Sequence, residues 1–272
     1  MPWYCCNRRA LDPSRRAGLV SVAQTHEGRA MTATRNLVID IGMSEGNDTA
    51  FYLAKGFDVV GVEADPTLQA HLQRRFAADI DHGRLCLLHR AAAEANGRTV
   101  SFFHDDGEQG HSSLDRHGRT AGVREFQVPT IDWAALRAVA GVPYYLKLDI
   151  EGAEPAFLRS MLGARELPAY LSAEVQTFQP VELFRDLGYT RFRLINQTMW
   201  HGVTLPDPPL EGRYVPRPEP HHWSGPFGRE LPGDRWFSFE EIRALHETIH
   251  LLWTYGTLIT GWMDCHAALG EG

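Results

Sequence analysis

Apolar positions come in short runs along the first two hundred residues, and each run ends at a polar or glycine-containing turn. Residues 37–41 form such a run, too short for a helix and closed by Gly42. It reads as a strand buried on both faces of a parallel sheet. Asn47 or Asp48 stands where a helix N-cap belongs, and the helix it opens runs to about Lys55 and stops at Gly56. Residues 57–62 repeat the strand pattern and end on Glu63. Pro66 suits the first turn of a helix running to about Ala78, with Leu68, Leu72 and Phe76 on one face. Strands follow at 85–88, 100–104 and 126–128, the last two flanking a polar, glycine-rich loop. Asp132 opens a helix to about Ala140, and 144–150 is again a strand. A helix over 155–161, a strand over 170–174, a helix from Pro180 to Gly188 and a strand over 191–195 complete the series. Strands alternating with helices in this way predict a doubly wound α/β fold, with a mostly parallel central sheet and helices on both faces.

The two ends break the pattern. Residues 1–35 are rich in Arg, Ala, Ser and Thr without periodicity, and read as a loosely attached arm or an extension from an upstream start. Prolines and glycines are dense over 204–232, which excludes long regular elements there. Ser238 with Glu241 makes a capping box for a last helix. The expected division is an arm over 1–35, the α/β domain over 36–203, and a C-terminal segment over 204–272 folded across the carboxyl end of the sheet.

The chemistry concentrates at the strand ends. Residues 37–63 spell strand, glycine turn, helix, strand and acid, the layout of a nucleotide-binding unit. Glycines let a backbone approach a ligand closely, and an acid at the tip of the second strand accepts the two hydroxyls of a ribose. Gly42 and Glu63 have the roughly 20-residue separation this needs. The turn, Asp40-x-Gly42-x-x-x-Gly46, lacks the third glycine of a dinucleotide site and the lysine of a P-loop. A ligand without a pyrophosphate suits it, and S-adenosylmethionine is that ligand. An ordinary βα turn would carry the same two glycines. Residues 145–154 add a second signature: a buried strand ending in Asp149, Glu151 and Glu154 around Gly152.

With these motifs, the sequence resembles the FkbM family of S-adenosylmethionine-dependent methyltransferases. The matching segments are 40–49, 62–66, 130–132, 146–154, the strand ending at Glu174, and Leu187-Gly188-Tyr189. Ser44 departs from the asparagine common at that place in the family. The resemblance implies a Rossmann-like methyltransferase fold and O-methylation of a small hydroxylated acceptor, a sugar or a natural product. Cofactor contacts are then expected from Asp40, Gly42, Met43, Ser44, Gly46, Thr49, Glu63, Ala64, Ala91, Ser113 and Asp149.

Methyl transfer to an alcohol needs negative charge near the sulfonium and a base for the hydroxyl proton. Asp149, Glu174 and Glu151 are the catalytic candidates, against the plainer reading of a solvated helix-capping cluster. Those acids have oxygen ligands suited to Mg²⁺, but they also suffice as base and sulfonium stabiliser, so the expectation is metal-independent transfer. Lys147 is expected to face away. His111, His201 and Trp223 are candidate substrate contacts. His246-Glu247-Thr248-Ile249-His250 matches the zincin pattern, but no third histidine follows at metzincin spacing, so a chance match is the better reading. Two alternatives stay open, a cofactor-binding scaffold without turnover and an NAD(P)-dependent oxidoreductase.

Composition narrows the partners. A formal charge of −7 over 272 residues argues against nucleic-acid binding. Residues 251–262 are too short and too interrupted to span a membrane. The four cysteines, at 5, 6, 86 and 265, show neither a metal-site spacing nor a secretory framework. Cys86 reads as a buried thiol, and a reducing cytoplasm fits.

Overall fold

The run 37–41 lies in β1 (Thr34–Ile41), an interior strand of the sheet around which the molecule is built. The computed structural model describes residues 34–105, 112–115, 122–200, 203–216, 224–256 and 261–270. After β1 come α1 (Asn47–Ala54), β2 (Asp58–Glu63), α2 (Gln69–Arg75), α3 (Ala77–Asp81) and β3 (Leu85–His89). A small sheet follows, from β4 (Ala91–Ala92), β5 (Thr99–Asp105) and β6 (Val123–Ile131). Next are α4 (Trp133–Ala140), β7 (Pro143–Leu148), α5 (Glu154–Met161), β8 (Tyr170–Glu174), α6 (Gln179–Leu187) and β9 (Arg191–Asn196). The chain ends with α7 (Phe239–Thr254) and β10 (Met263–Ala268). The main sheet has seven strands in the order β3-β2-β1-β7-β8-β10-β9, all parallel except β10. The expected α/β fold with a mostly parallel sheet is observed.

Side-chain alternation explains the two layers. Ile39, Ile41, Leu146 and Leu148 point to one face and pack with Leu136, Phe157, Phe184 and Ile242 from α4, α5, α6 and α7. Val38 and Tyr145 point to the other, where Tyr52 of α1, Leu72 of α2 and Phe227 from the C-terminal segment cover them. Phe227 stacks on Tyr145 with ring centroids 4.3 Å apart. The segment is also held by a fully buried ion pair between Lys55 and Glu230, 2.7 Å apart. Ser238 and Glu241 form the expected capping box of α7.

Several local expectations need correction. Gly46, in the left-handed region at φ 87°, is the N-cap of α1, and Asn47 and Asp48 lie inside the helix. The helix expected over 66–78 begins three residues after Pro66 and is broken at Phe76, which leaves helical geometry and is buried. Cys86 is disulfide-bonded rather than a free buried thiol. Strand β10 was not anticipated, because Asp264 and His266 interrupt its apolar pattern although all six of its residues are buried. Among the described residues, no helix is long and apolar enough to cross a membrane.

Candidate active site

The carboxyl ends of β1, β2, β7 and β8 open into one cleft of about 880 Å³, a volume suited to a small-molecule ligand. Its walls differ in chemistry from end to end. Leu68, Ala91, Ala92, Phe102 and Leu114 make an apolar part, Glu63 stands in the middle, and Asp48, Lys147, Asp149, Glu151 and Glu174 line the far end.

Glu63 is locked in place by the backbone. One carboxylate oxygen accepts from the Ser44 amide and the other from the Asp65 amide, both at 2.7 Å. Burial outweighs these bonds and pushes its carboxyl up to about 7. Each oxygen retains lone-pair capacity toward the cleft. Beside it, the buried pair Asp65 and His104 are joined at 2.5 Å.

The glycine turn is shaped by protein packing. A Cβ on Gly42 would fall 1.7 Å from the Asp149 carbonyl oxygen, and one on Gly46 would fall 2.4 Å from the Phe76 ring. The amides of Gly42 and Met43 both donate to the Val62 carbonyl, and that of Gly46 to the Met43 carbonyl. With the Ser44 amide on Glu63, these four are engaged within the protein and form no anion cradle.

At the acid end, Lys147 corrects the expectation that it faces away. Residues two apart on a strand share a face, so Lys147 joins Asp149 rather than opposing it. Its ammonium lies 2.9 Å from Asp48 and 3.4 Å from both Asp40 and Asp149. Burial works against that charge, but Asp48, Asp40 and Asp149 prevail and hold the group well above its ordinary range. Asp48 is itself pushed up by burial despite Lys147, and it also accepts from the Ser224 amide at 2.8 Å. Glu174 is raised to about 7, first by burial and then by Asp149 and Glu154. Ligand oxygens of Asp149, Glu151 and Glu174 lie within 4.8 Å of one another. Glu151 holds its place at φ 55°, a left-handed conformation for a residue with a side chain.

Of the residues singled out from sequence, Gly42, Met43, Ser44, Glu63, Ala64, Ala91, Ser113, Asp149, Glu151 and Glu174 all line the cleft. Asp40, Gly46 and Thr49 do not line it. Thr49 donates to Asp40 at 2.7 Å behind the wall, so this pair supports Lys147 from below. His111, His201 and Trp223 lie outside the described residues. Sequence reasoning passed over Asp48, Lys147, Ser224 and Trp262, all on the wall. Only Lys147 carried a usable signal, its strand parity with Asp149. In the zincin-like motif, His246 packs on Phe178 with ring centroids 5.1 Å apart, and burial lowers its pKa. Among the described residues, the one group of three candidate metal ligands is the acid set in the cleft.

The model of the methyltransferase FkbM domain matches residues 40–193, a span that contains the whole glycine turn and the acid end up to Glu174. Among solved structures, the chain is similar to a precorrin-6y C5,15-methyltransferase from Geobacter metallireducens GS-15. That likeness has 10% identity, covers 87% of this chain and 80% of the other, and has a TM-score of 0.38. It is also similar to an O-methyltransferase from Thermotoga maritima, with 12% identity, 88% and 61% coverage and a TM-score of 0.37. A search of curated proteins gave no match.

Proposed function

The chain belongs to the FkbM family of methyltransferases, and on that premise we propose that it transfers a methyl group from S-adenosylmethionine to a hydroxyl of a small acceptor, a sugar or natural product. When bound, this cofactor supplies an electrophilic methyl group on a positively charged sulfur. The observation that carries the reading is the order of chemistry along one cleft: apolar wall, carboxylate, acid end. Ala91, Ala92 and Phe102 suit a flat heterocycle, and Glu63 suits a vicinal diol, since a carboxylate accepts from both hydroxyls. Asp149 and its neighbours suit a cation. The residues present therefore fit the cofactor.

Asp149 sets negative charge beside the cationic centre, and Glu174 takes the acceptor's proton. A carboxyl near 7 is better placed for that task at neutral pH than one in the ordinary range. A dinucleotide oxidoreductase gains no support from the turn, whose amides at Gly42, Met43, Ser44 and Gly46 are already engaged. The scaffold reading is opposed by the acids, which are all present in the cleft.

The deciding experiment is transfer of a labelled methyl group from S-adenosylmethionine onto a library of hydroxylated metabolites. Product on any of them supports the proposal, and cofactor binding with no product on all of them favours the scaffold. Glu63→Ala is expected to weaken S-adenosylhomocysteine binding by about 1.5–3 kcal/mol, the range for a hydrogen bond to a charged group. Because the Glu63 carboxyl sits at about 7, affinity should fall as the pH drops through neutrality in the parent and stay flat in Glu63→Gln. Calorimetric titration reads both, and an unchanged affinity in Glu63→Ala would remove Glu63 from the cofactor site.

A further inference from the structure

The cleft continues past the acids that the proposed transfer uses, and strand order fixes its direction. Ala91 and Ala92 follow β3, Glu63 ends β2, Asp149 follows β7, Glu174 ends β8 and Trp262 precedes β10. A cofactor laid from the apolar wall across Glu63 to Asp149 occupies the β3 to β7 side. What is left for the acceptor is the stretch from β7 to β10, two strand spacings or roughly 10 Å. One six-membered ring with its substituents fills that width. The residues at its far side are Gln176 and Trp262. Asp264 pairs with Glu174, and the Val175 amide donates to the Met263 carbonyl at 2.9 Å, so the same antiparallel register sets Trp262 opposite Gln176. Residues two apart on a strand share a face, which puts both beside Glu174, and all three line the cleft.

Resting on the function proposed above, we propose that Trp262 positions the acceptor by laying its indole against the apolar face of a sugar ring, while Gln176 takes hydroxyls at the ring's edge. Three observations carry this. The indole is 40% exposed on the cleft wall, whereas Met263 to Ala268 after it are all buried. Trp133 and Trp200, by contrast, spend theirs on the core. The main chain that presents Trp262 is fixed on both sides. Its carbonyl accepts from the Gln197 amide at 3.0 Å, and Gly261, at φ 95°, packs so closely that a Cβ would fall 2.3 Å from Cγ2 of Thr198. Gln176 leans on Glu174, its Nε2 donating at 3.4 Å, and its amide retains a carbonyl and a second N–H. The chemistry matches a sugar on both sides. An indole face is negative and attracts C–H groups polarised by neighbouring oxygens. An amide that donates and accepts suits two adjacent hydroxyls. A ring held in this way presents a hydroxyl toward Glu174, the base of the proposed transfer.

The test labels the full chain with 5-fluorotryptophan and saturates it with S-adenosylhomocysteine. Among the fluorine resonances of its seven tryptophans, the one missing in Trp262→Phe belongs to Trp262. Methyl glycosides of hexoses and pentoses are titrated in, each beside the open-chain alditol of the same carbon number. Saturable movement of the Trp262 resonance by a glycoside, and none by its alditol, is expected. Calorimetry should then show that Trp262→Ala weakens that glycoside about tenfold, the upper end of what one aromatic contact contributes. Trp253→Ala, as exposed at 42% but on α7 and off the cleft wall, should leave it unchanged. Where circular dichroism shows that Trp262→Ala does not fold, Gln176→Ala, at an exposed position, repeats the test with an expected loss of about threefold or more. No movement by any glycoside, equal movement by glycoside and alditol, or an equal loss of S-adenosylhomocysteine affinity in Trp262→Ala overturns the assignment. The parent's S-adenosylhomocysteine titration separates the two readings. Cofactor binding with an unmoved Trp262 resonance removes only the acceptor platform. No cofactor binding removes the methyltransferase reading, and the glycoside titration without cofactor still decides what Trp262 does.

Discussion

Lys147→Met is expected to destabilise the protein by about 3–5 kcal/mol, the cost of breaking a buried ion pair from one side. The lysine side chain is 3% exposed, and its ammonium is the shared partner of Asp40, Asp48 and Asp149. Methionine fills a similar volume, so lost packing contributes little and the effect is electrostatic. Left without the cation, the three carboxylates must repel one another or take up protons. The pH dependence follows from that choice. Asp48 already titrates above its ordinary range because of burial, and removing Lys147 raises it further. A carboxyl raised in the folded state favours the fold when protonated, and that contribution is lost as pH rises through the folded pKa. The deficit of Lys147→Met should therefore be smaller at pH 5 than at pH 8. Denaturant unfolding at the two pH values measures it. Asp48→Asn added to Lys147→Met should restore part of the loss, since the amide still accepts from the Ser224 backbone. A deficit equal at both pH values and unaffected by Asp48→Asn would mean that Lys147 holds the fold by packing and not by charge.

The same lysine shows where sequence reading reaches and where it stops. Strands β1, β2, β7 and β8 were legible because each is a mainly apolar run, and the acids at or just past the ends of the last three could be named as chemical groups from the sequence. Glu63, Asp149, Glu151 and Glu174 were found in that way, and all line the cleft. What could not be read is the polar layer under the cleft. Asp40, Lys147, Asp264 and His266 are buried on one face of the sheet, so they look from the sequence like breaks in a core. That is why β10 was missed. Asp48 was taken for a cap because acids at helix starts usually are caps, whereas here Lys147 draws its carboxyl inward. The zincin-like pattern errs the other way. Its spacing is right for a metal, but a helix face that rests on Phe178 uses the same spacing for packing. Local pattern identifies elements and their ends. It does not tell which side chains meet across strands far apart in sequence.

Gly42→Ala is the substitution expected to damage fold and cofactor binding together. Two costs act at this position. With φ at +78°, an L-residue here sits in the left-handed region, at about 1–2 kcal/mol. The added methyl would also lie 1.7 Å from the Asp149 carbonyl oxygen and 2.7 Å from its carbon. That neighbour is backbone, held by its amide's bond to the Ile41 carbonyl at 3.0 Å, so it cannot swing aside. The exits of β1 and β7 must move apart, at a further cost of about 1–3 kcal/mol for a forced backbone shift. Gly97 supplies the control. It has a similar φ of +72° but nothing within 4 Å of an added Cβ, so Gly97→Ala carries the strain without the collision. Unfolding free energies of the two variants should differ by about 1–3 kcal/mol, the backbone shift alone. Function should separate them more widely. Moving Asp149 away from Gly42 displaces the acid end from Glu63, so S-adenosylhomocysteine affinity should fall about tenfold or more in Gly42→Ala, as misplacement of a binding group commonly costs. Gly97→Ala should bind as the parent does. Equal stability and equal affinity in the two variants would show that the turn can accept a side chain, and that the close approach of β1 to β7 does not set the geometry of the site.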